Sequence, residues 1–122
     1  MKWALALFLL PLSVWVFPVW ALSDEASILG NWCTLEGRGE TIFYIEADAL
    51  GVHEHTMCDW HEPPGGPALT TLIDCRNIHF EGDRVIETPR QTYTFIAALQ
   101  SDDTLLVQVE NEPQARYHRC DY

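Results

Sequence analysis

The sequence predicts an all-β domain: a small up-and-down antiparallel β-barrel of about eight strands, tied by two disulfides and preceded by an N-terminal signal peptide. Three observations predict it. Short stretches rich in β-branched and aromatic residues recur at even spacing, with turn-forming residues between them. Two of these stretches alternate: Tyr93, Phe95, Ala97 and Leu99 share one strand face, and Leu105, Val107 and Val109 share another, with Gln108 and Glu110 opposite. All four cysteines follow an apolar N-terminal run, and an even count there reads as a disulfide framework.

The N-terminus opens Met1-Lys2, then runs from Trp3 to Leu22 without a charge. A positive start followed by an apolar run describes an export signal. Val19-Trp20-Ala21 offers cleavage before Leu22, and Ala21-Leu22-Ser23 offers cleavage before Asp24. An uncleaved anchor is the rival, since about 20 apolar residues span a bilayer; Pro11 and Pro18 interrupt the run. The expected division is a signal peptide over 1–23 and one domain over 24–122, placed in the periplasm or outside the cell. A domain of this size buries only about 65% of its unfolded surface, so cross-links help it.

Lys2 is the only lysine and leaves with the signal, so six arginines face 18 acidic residues, a net charge of −12. That balance argues against nucleic acid and against anionic membrane surfaces. It favours solubility and a cationic partner.

The strands expected in order are Leu29–Glu36, Thr41–Ala47, Gly51–Cys58, Leu69–Cys75, Arg84–Thr88, Thr92–Leu99, Thr104–Glu110 and Ala115–Cys120. Turn chemistry separates them at Gly37-Arg38-Gly39, Asp48-Ala49-Leu50-Gly51, Glu81-Gly82-Asp83, Ser101-Asp102-Asp103 and Asn111-Glu112-Pro113. Closing such a meander into a barrel removes exposed sheet edges. If Trp32 points inward, period 2 turns Cys33 outward, and Cys120 shares an outward face with Arg116 and His118. In an even-stranded barrel the first and last strands are antiparallel neighbours, within disulfide reach. Cys58 and Cys75 fall on consecutive strands. Four cysteines allow three pairings; strand parity favours Cys33–Cys120 and Cys58–Cys75.

Gly30-Asn31-Trp32 opens the domain and Tyr117-His118-Arg119-Cys120 closes it. In these motifs the chain resembles a loose group of small exported bacterial proteins, mostly of unknown function, with a Gly-x-Trp opening and a Tyr-x-Arg-Cys end. The opening is also similar to that of lipocalins and of periplasmic barrel inhibitors of proteases and lysozymes. The resemblance implies a β-barrel and a periplasmic address. It carries over no inhibitory residue, and a chain shorter than a lipocalin leaves little room for a deep cavity.

Two segments stand out as candidate sites. On a continuous strand, His53, His55 and Met57 would share a face, and His61 could join them. Imidazoles suit copper or zinc and a thioether selects copper(I); a solvated polar face explains the same residues. The second is the loop with Trp60, Glu62, Pro63 and Pro64, where stiffening prolines lower the ordering cost of binding and an aromatic can anchor a partner. Its plainer account is a surface connection with Trp60 packed on the barrel. No catalytic residue is named: no G-x-S-x-G context, phosphate loop or dinucleotide fingerprint occurs, no lysine remains after cleavage, and no carboxylate pair is singled out. The sequence therefore points to a non-enzymatic binding protein without cofactor, with a cationic hydrolase as the expected partner. A metal-binding accessory protein and a small-ligand carrier are the alternatives. The carrier needs a roomy interior, which Phe43, Tyr93, Phe95 and Leu105 look large enough to fill.

Overall fold

A computed structural model describes residues 25–34 and 39–121. The signal peptide expected over 1–23 lies outside the described residues. Nine strands follow in order: β1 Gly30–Cys33, β2 Thr41–Ile45, β3 Leu50–Val52, β4 Thr56–Trp60, β5 Ala68–Glu81, β6 Arg84–Glu87, β7 Gln91–Ser101, β8 Thr104–Val109 and β9 Ala115–Arg119. All pairings are antiparallel. Eight strands close a barrel in the order β1-β2-β3-β4-β5-β7-β8-β9, with β9 returning to β1. No helix occurs among the described residues.

The count of eight matches the sequence expectation by way of two departures that cancel. The expected strand Gly51–Cys58 is broken by a turn at His53-Glu54-His55 into β3 and β4. His53 takes a positive φ of 54° and its N–H donates to the Ile42 carbonyl at 2.9 Å. Histidine is among the few non-glycine residues that enter this region with some frequency. The expected strand Arg84–Thr88 is real but stands outside the barrel. β5 runs on past the wall, and its last residues pair with β6 through Phe80↔Val85 and their neighbours, while the Ile78 N–H still donates to the His55 carbonyl at 2.7 Å. The result is a two-stranded arm projecting from the rim.

Along β7 and β8 the interior follows period-2 alternation from Phe95 to Leu99 and from Leu105 to Val107. Phe95, Ala97 and Leu99 on β7 and Leu105 and Val107 on β8 are buried, as their patterns predict. They join Ile28, Trp32, Phe43, Ile45, Leu50, Cys58, Ile73 and Cys75 in one core. At ~25 cal/mol per Å² of buried apolar surface, this core is the main stabilising term.

Both expected disulfides are present, Cys33–Cys120 and Cys58–Cys75. Cys58 and Cys75 are directly opposed on β4 and β5, with Cα atoms 4.0 Å apart, and both belong to the core. Cys33–Cys120 joins the first and last barrel strands, but its two residues are not opposed. A bulge shifts the register between Trp32 and Cys33, Cys33 pairs with His118, and Cys120 reaches back diagonally over a Cα separation of 5.1 Å. Cys33 is also not the surface residue that parity suggests. It is 1% exposed yet outside the core cluster, in the thickness of the wall against the Thr41 hydroxyl.

Candidate functional site

The two ends of the barrel differ. One is sealed by the motifs at the two ends of the domain. Trp32 is buried and its indole N–H donates to the Ile28 carbonyl at 2.8 Å. The Arg119 guanidinium lies 4.4 Å from the Trp32 ring centroid, within cation–π range. It also donates to three carbonyls: Asp102 at 2.6 Å, Leu29 at 2.9 Å and Ser27 at 2.8 Å. Gly30 explains its own place in the motif. Its φ is +135°, which side chains rarely adopt, and a Cβ there would stand 2.7 Å from an Arg119 nitrogen. Gly30, Trp32 and Arg119 thus form one latch.

The segment after β4 completes the seal. The Ile28 N–H donates to the Gly66 carbonyl, the Leu99 N–H to that of Pro67 and the Glu62 N–H to the Thr71 hydroxyl. Pro64 is buried, whereas Glu62 and Pro63 are exposed. Trp60 packs inward: its ring meets Phe95 at 5.4 Å and 70°, and its N–H donates to the Glu46 carbonyl at 2.9 Å. The four residues expected to contact a partner therefore sit at the closed end, with the aromatic turned into the barrel.

His53 and His55 line one shallow depression with Glu54, and His61 lies apart from them. His53 and His55 lie in the β3–β4 turn, not on a shared strand face, while Met57 is on β4. His61 follows the far end of β4 and sits 3.1 Å from the Asp74 carboxylate. The five residues of β4 separate it from His55 by about 20 Å at 3.3–3.4 Å per residue. No group of three His, Cys, Asp or Glu able to hold a metal ion occurs among the described residues. The turn takes His53 and His55 off the strand face that alternation would have them share with Met57.

The other end is open. Between Phe43, Tyr93, Phe95, Val109 and Tyr117 lies a hollow of about 350 Å³. The large interior residues thus fill only part of the barrel, against the expectation drawn from their size. Phe95, Leu50 and Ile73 form its floor and are fully buried. Phe43 meets Tyr117 at 5.0 Å and 89° and Phe95 at 6.0 Å and 73°, edge to face. Glu110, Glu112 and His53 also line this hollow. Burial first, and then the charge of Glu112, pushes the Tyr117 phenol above its usual pKa, so it stays neutral as a hydrogen-bonding group.

The β5–β6 arm rises beside this opening. A second depression of about 400 Å³ at its root is lined by Arg76, Asn77 and Thr88 and shares Thr56, Cys75 and Tyr93 with the hollow. On the arm Phe80 is 74% exposed and Val85, its cross-strand partner, 58% exposed. Glu81, Asp83 and Glu87 accompany them, all exposed. The arm is braced at its base. Asp59 accepts from Arg76 at 3.3 Å and from Arg90 at 2.7 Å, and Arg76 also approaches Glu87 at 3.6 Å. Sequence reasoning missed both for different reasons: Phe80 lies beyond the expected strand end at Cys75, and Val85 stood on a strand assigned to the barrel wall, where an apolar residue is expected to face inward.

No protein family, curated protein or solved structure matches the chain.

Proposed function

We propose that this chain is an exported binding protein, non-enzymatic and without cofactor, that holds a cationic macromolecule against the open end of its barrel. The exposed pair Phe80 and Val85 on a braced two-stranded arm carries the reading. Large apolar side chains standing out from a small domain among carboxylates suit a partner that is both apolar and basic. Burying the pair would supply affinity, and the −12 charge would speed encounter with basic proteins. The apolar N-terminal run and the two disulfides support export to the periplasm or beyond. The Gly-x-Trp opening, similar to that of periplasmic barrel inhibitors of proteases and lysozymes, makes a basic hydrolase the partner class to try first.

The test measures association of residues 24–122 with a panel of basic secreted hydrolases at 0.1 M and 1 M salt. The Debye length falls from ~10 Å to ~3 Å over that range. The on-rate of a true partner should fall at least tenfold, and Phe80→Ser with Val85→Ser should weaken affinity at least tenfold without altering the barrel. An on-rate indifferent to salt would remove the electrostatic part. Unchanged affinity in the double variant would remove the arm.

A further inference from the structure

The hollow combines an apolar and aromatic lining with two carboxylates, Glu110 and Glu112. Its volume of about 350 Å³ falls at the small end of the range for small-molecule sites. Phe43, Tyr93 and Tyr117 bring aromatic rings to its lining from β2, β7 and β9. Phe43 stands nearly perpendicular to both Tyr117 and Phe95, so a guest in the hollow meets ring faces as well as edges. Ring faces carry the negative lobe of the aromatic quadrupole.

Two carboxylates select the sign of the guest's charge. Glu110 follows β8 in a left-handed conformation, φ 50°, and one of its carboxylate oxygens accepts from the Thr94 N–H, which fixes the side chain. Glu112 follows in the turn closed by its own N–H donating to the Val109 carbonyl at 3.0 Å. Among the described residues neither carboxylate pairs with an arginine or histidine, whereas Asp59, Asp74 and Glu87 all do.

We propose that the hollow binds a single organic cation, an alkylammonium or guanidinium on an apolar stem, with the stem between Phe43, Tyr93 and Tyr117 and the charge at Glu110 and Glu112. An ammonium is attracted here both by the ring faces and by the carboxylates. The same chemistry occurs in a free polyamine and in a lysine or arginine side chain of a protein. Only the second identification rests on the partner reading above; the cation site stands without it.

The test uses residues 24–122 and NMR titration with n-pentylammonium and its neutral counterpart 1-pentanol, both at pH 8. Saturable shifts at Tyr93, Val109 and Tyr117 are expected with the amine, at least tenfold tighter than with the alcohol. Glu110→Gln with Glu112→Gln should erase that preference while leaving alcohol binding unchanged. Tyr117→Leu should weaken the amine at least threefold, with retained shift dispersion confirming the fold. Equal binding of amine and alcohol would overturn the proposal, as would shifts confined to the outer acidic surface or no saturable binding. Spermidine and Nα-acetyl-lysine methylamide then separate the sources: tighter binding of the first assigns a free polyamine, and of the second a protein side chain. Because these probes are small, loss of the cation site and loss of the Phe80–Val85 contact register separately.

Discussion

Arg119 and Tyr117 lie two residues apart on β9 and both point into the barrel, yet they serve opposite ends. Arg119 spends its donors on three carbonyls and lies on Trp32. Tyr117 faces a hollow of about 350 Å³ and meets only Phe43 edge to face. At the closed end the guanidinium is already committed to three carbonyls and to the Trp32 ring. At the open end aromatic wall and carboxylates remain without a cationic partner among the described residues. The contrast teaches that a small barrel gets rigidity from one end, so that the other can stay underpacked.

The largest test of that division is to cut the covalent ties. Cys33–Cys120 closes a separation of 87 residues and Cys58–Cys75 one of 17. Loop entropy predicts losses of about 4.5 and about 3 kcal/mol when each pair is replaced by alanine. The denaturant midpoint of each variant measures this. The first should approach unfolding at 37 °C, and the second should leave a weaker barrel. A larger loss from Cys58–Cys75 would mean that the core disulfide beside the hollow outweighs the one joining the first and last strands.

Next comes the latch. Arg119→Ala removes three charge-assisted hydrogen bonds and leaves their carbonyls without a donor, so a loss of about 3 kcal/mol is expected. Gly30→Ala forces an alanine into a glycine conformation against the guanidinium, for about 1–3 kcal/mol. The two act on one contact, so their double variant should cost less than the sum. Tyr117→Leu at the open end should cost less than Arg119→Ala, because it borders space already empty. Equal costs would break the comparison between the ends.

How far the sequence revealed this arrangement depends on the range of the interaction. Alternation within a strand is local, so Phe95, Ala97 and Leu99 could be placed inward from their spacing alone. The disulfide pairing followed from parity, which survived because one strand was divided and another left the barrel. The motifs Gly30-Asn31-Trp32 and Tyr117-His118-Arg119-Cys120 were visible, but not that Gly30 is small because Arg119 passes over it, a relation across 89 positions. The turn at His53-Glu54-His55 was missed because it carries neither glycine, proline nor asparagine. Trp60 looked like an anchor because aromatic character says nothing about direction. The hollow was missed because it depends on how large side chains are distributed along the barrel axis, and their number does not fix that.

The smallest predicted effect separates the outer wall from the mouth by pH. Asp74 faces outward on β5, where the Thr92 hydroxyl, donating at 2.6 Å, and then His61 hold its carboxyl below the ordinary value of 3.8. The folded state therefore favours the carboxylate more than the unfolded chain does. This contribution is present above pH ~4 and fades as the pH falls through the lower folded value. Thr92→Val, which lacks the hydroxyl, should be less stable than the parent at pH 6, and the gap should close in strong acid. Tyr117 behaves oppositely, since burial and Glu112 raise its pKa above 10.0 in the folded protein. Its contribution is full below pH 10 and is lost as the pH rises through the folded value. Tyr117→Phe should therefore flatten the alkaline limb of the stability profile and leave the acid limb alone, while Thr92→Val does the reverse. Chemical denaturation between pH 2.5 and 11 reads both limbs. If Tyr117→Phe left the alkaline limb unchanged, the phenol would be open to solvent and the mouth wetter than its aromatic wall implies.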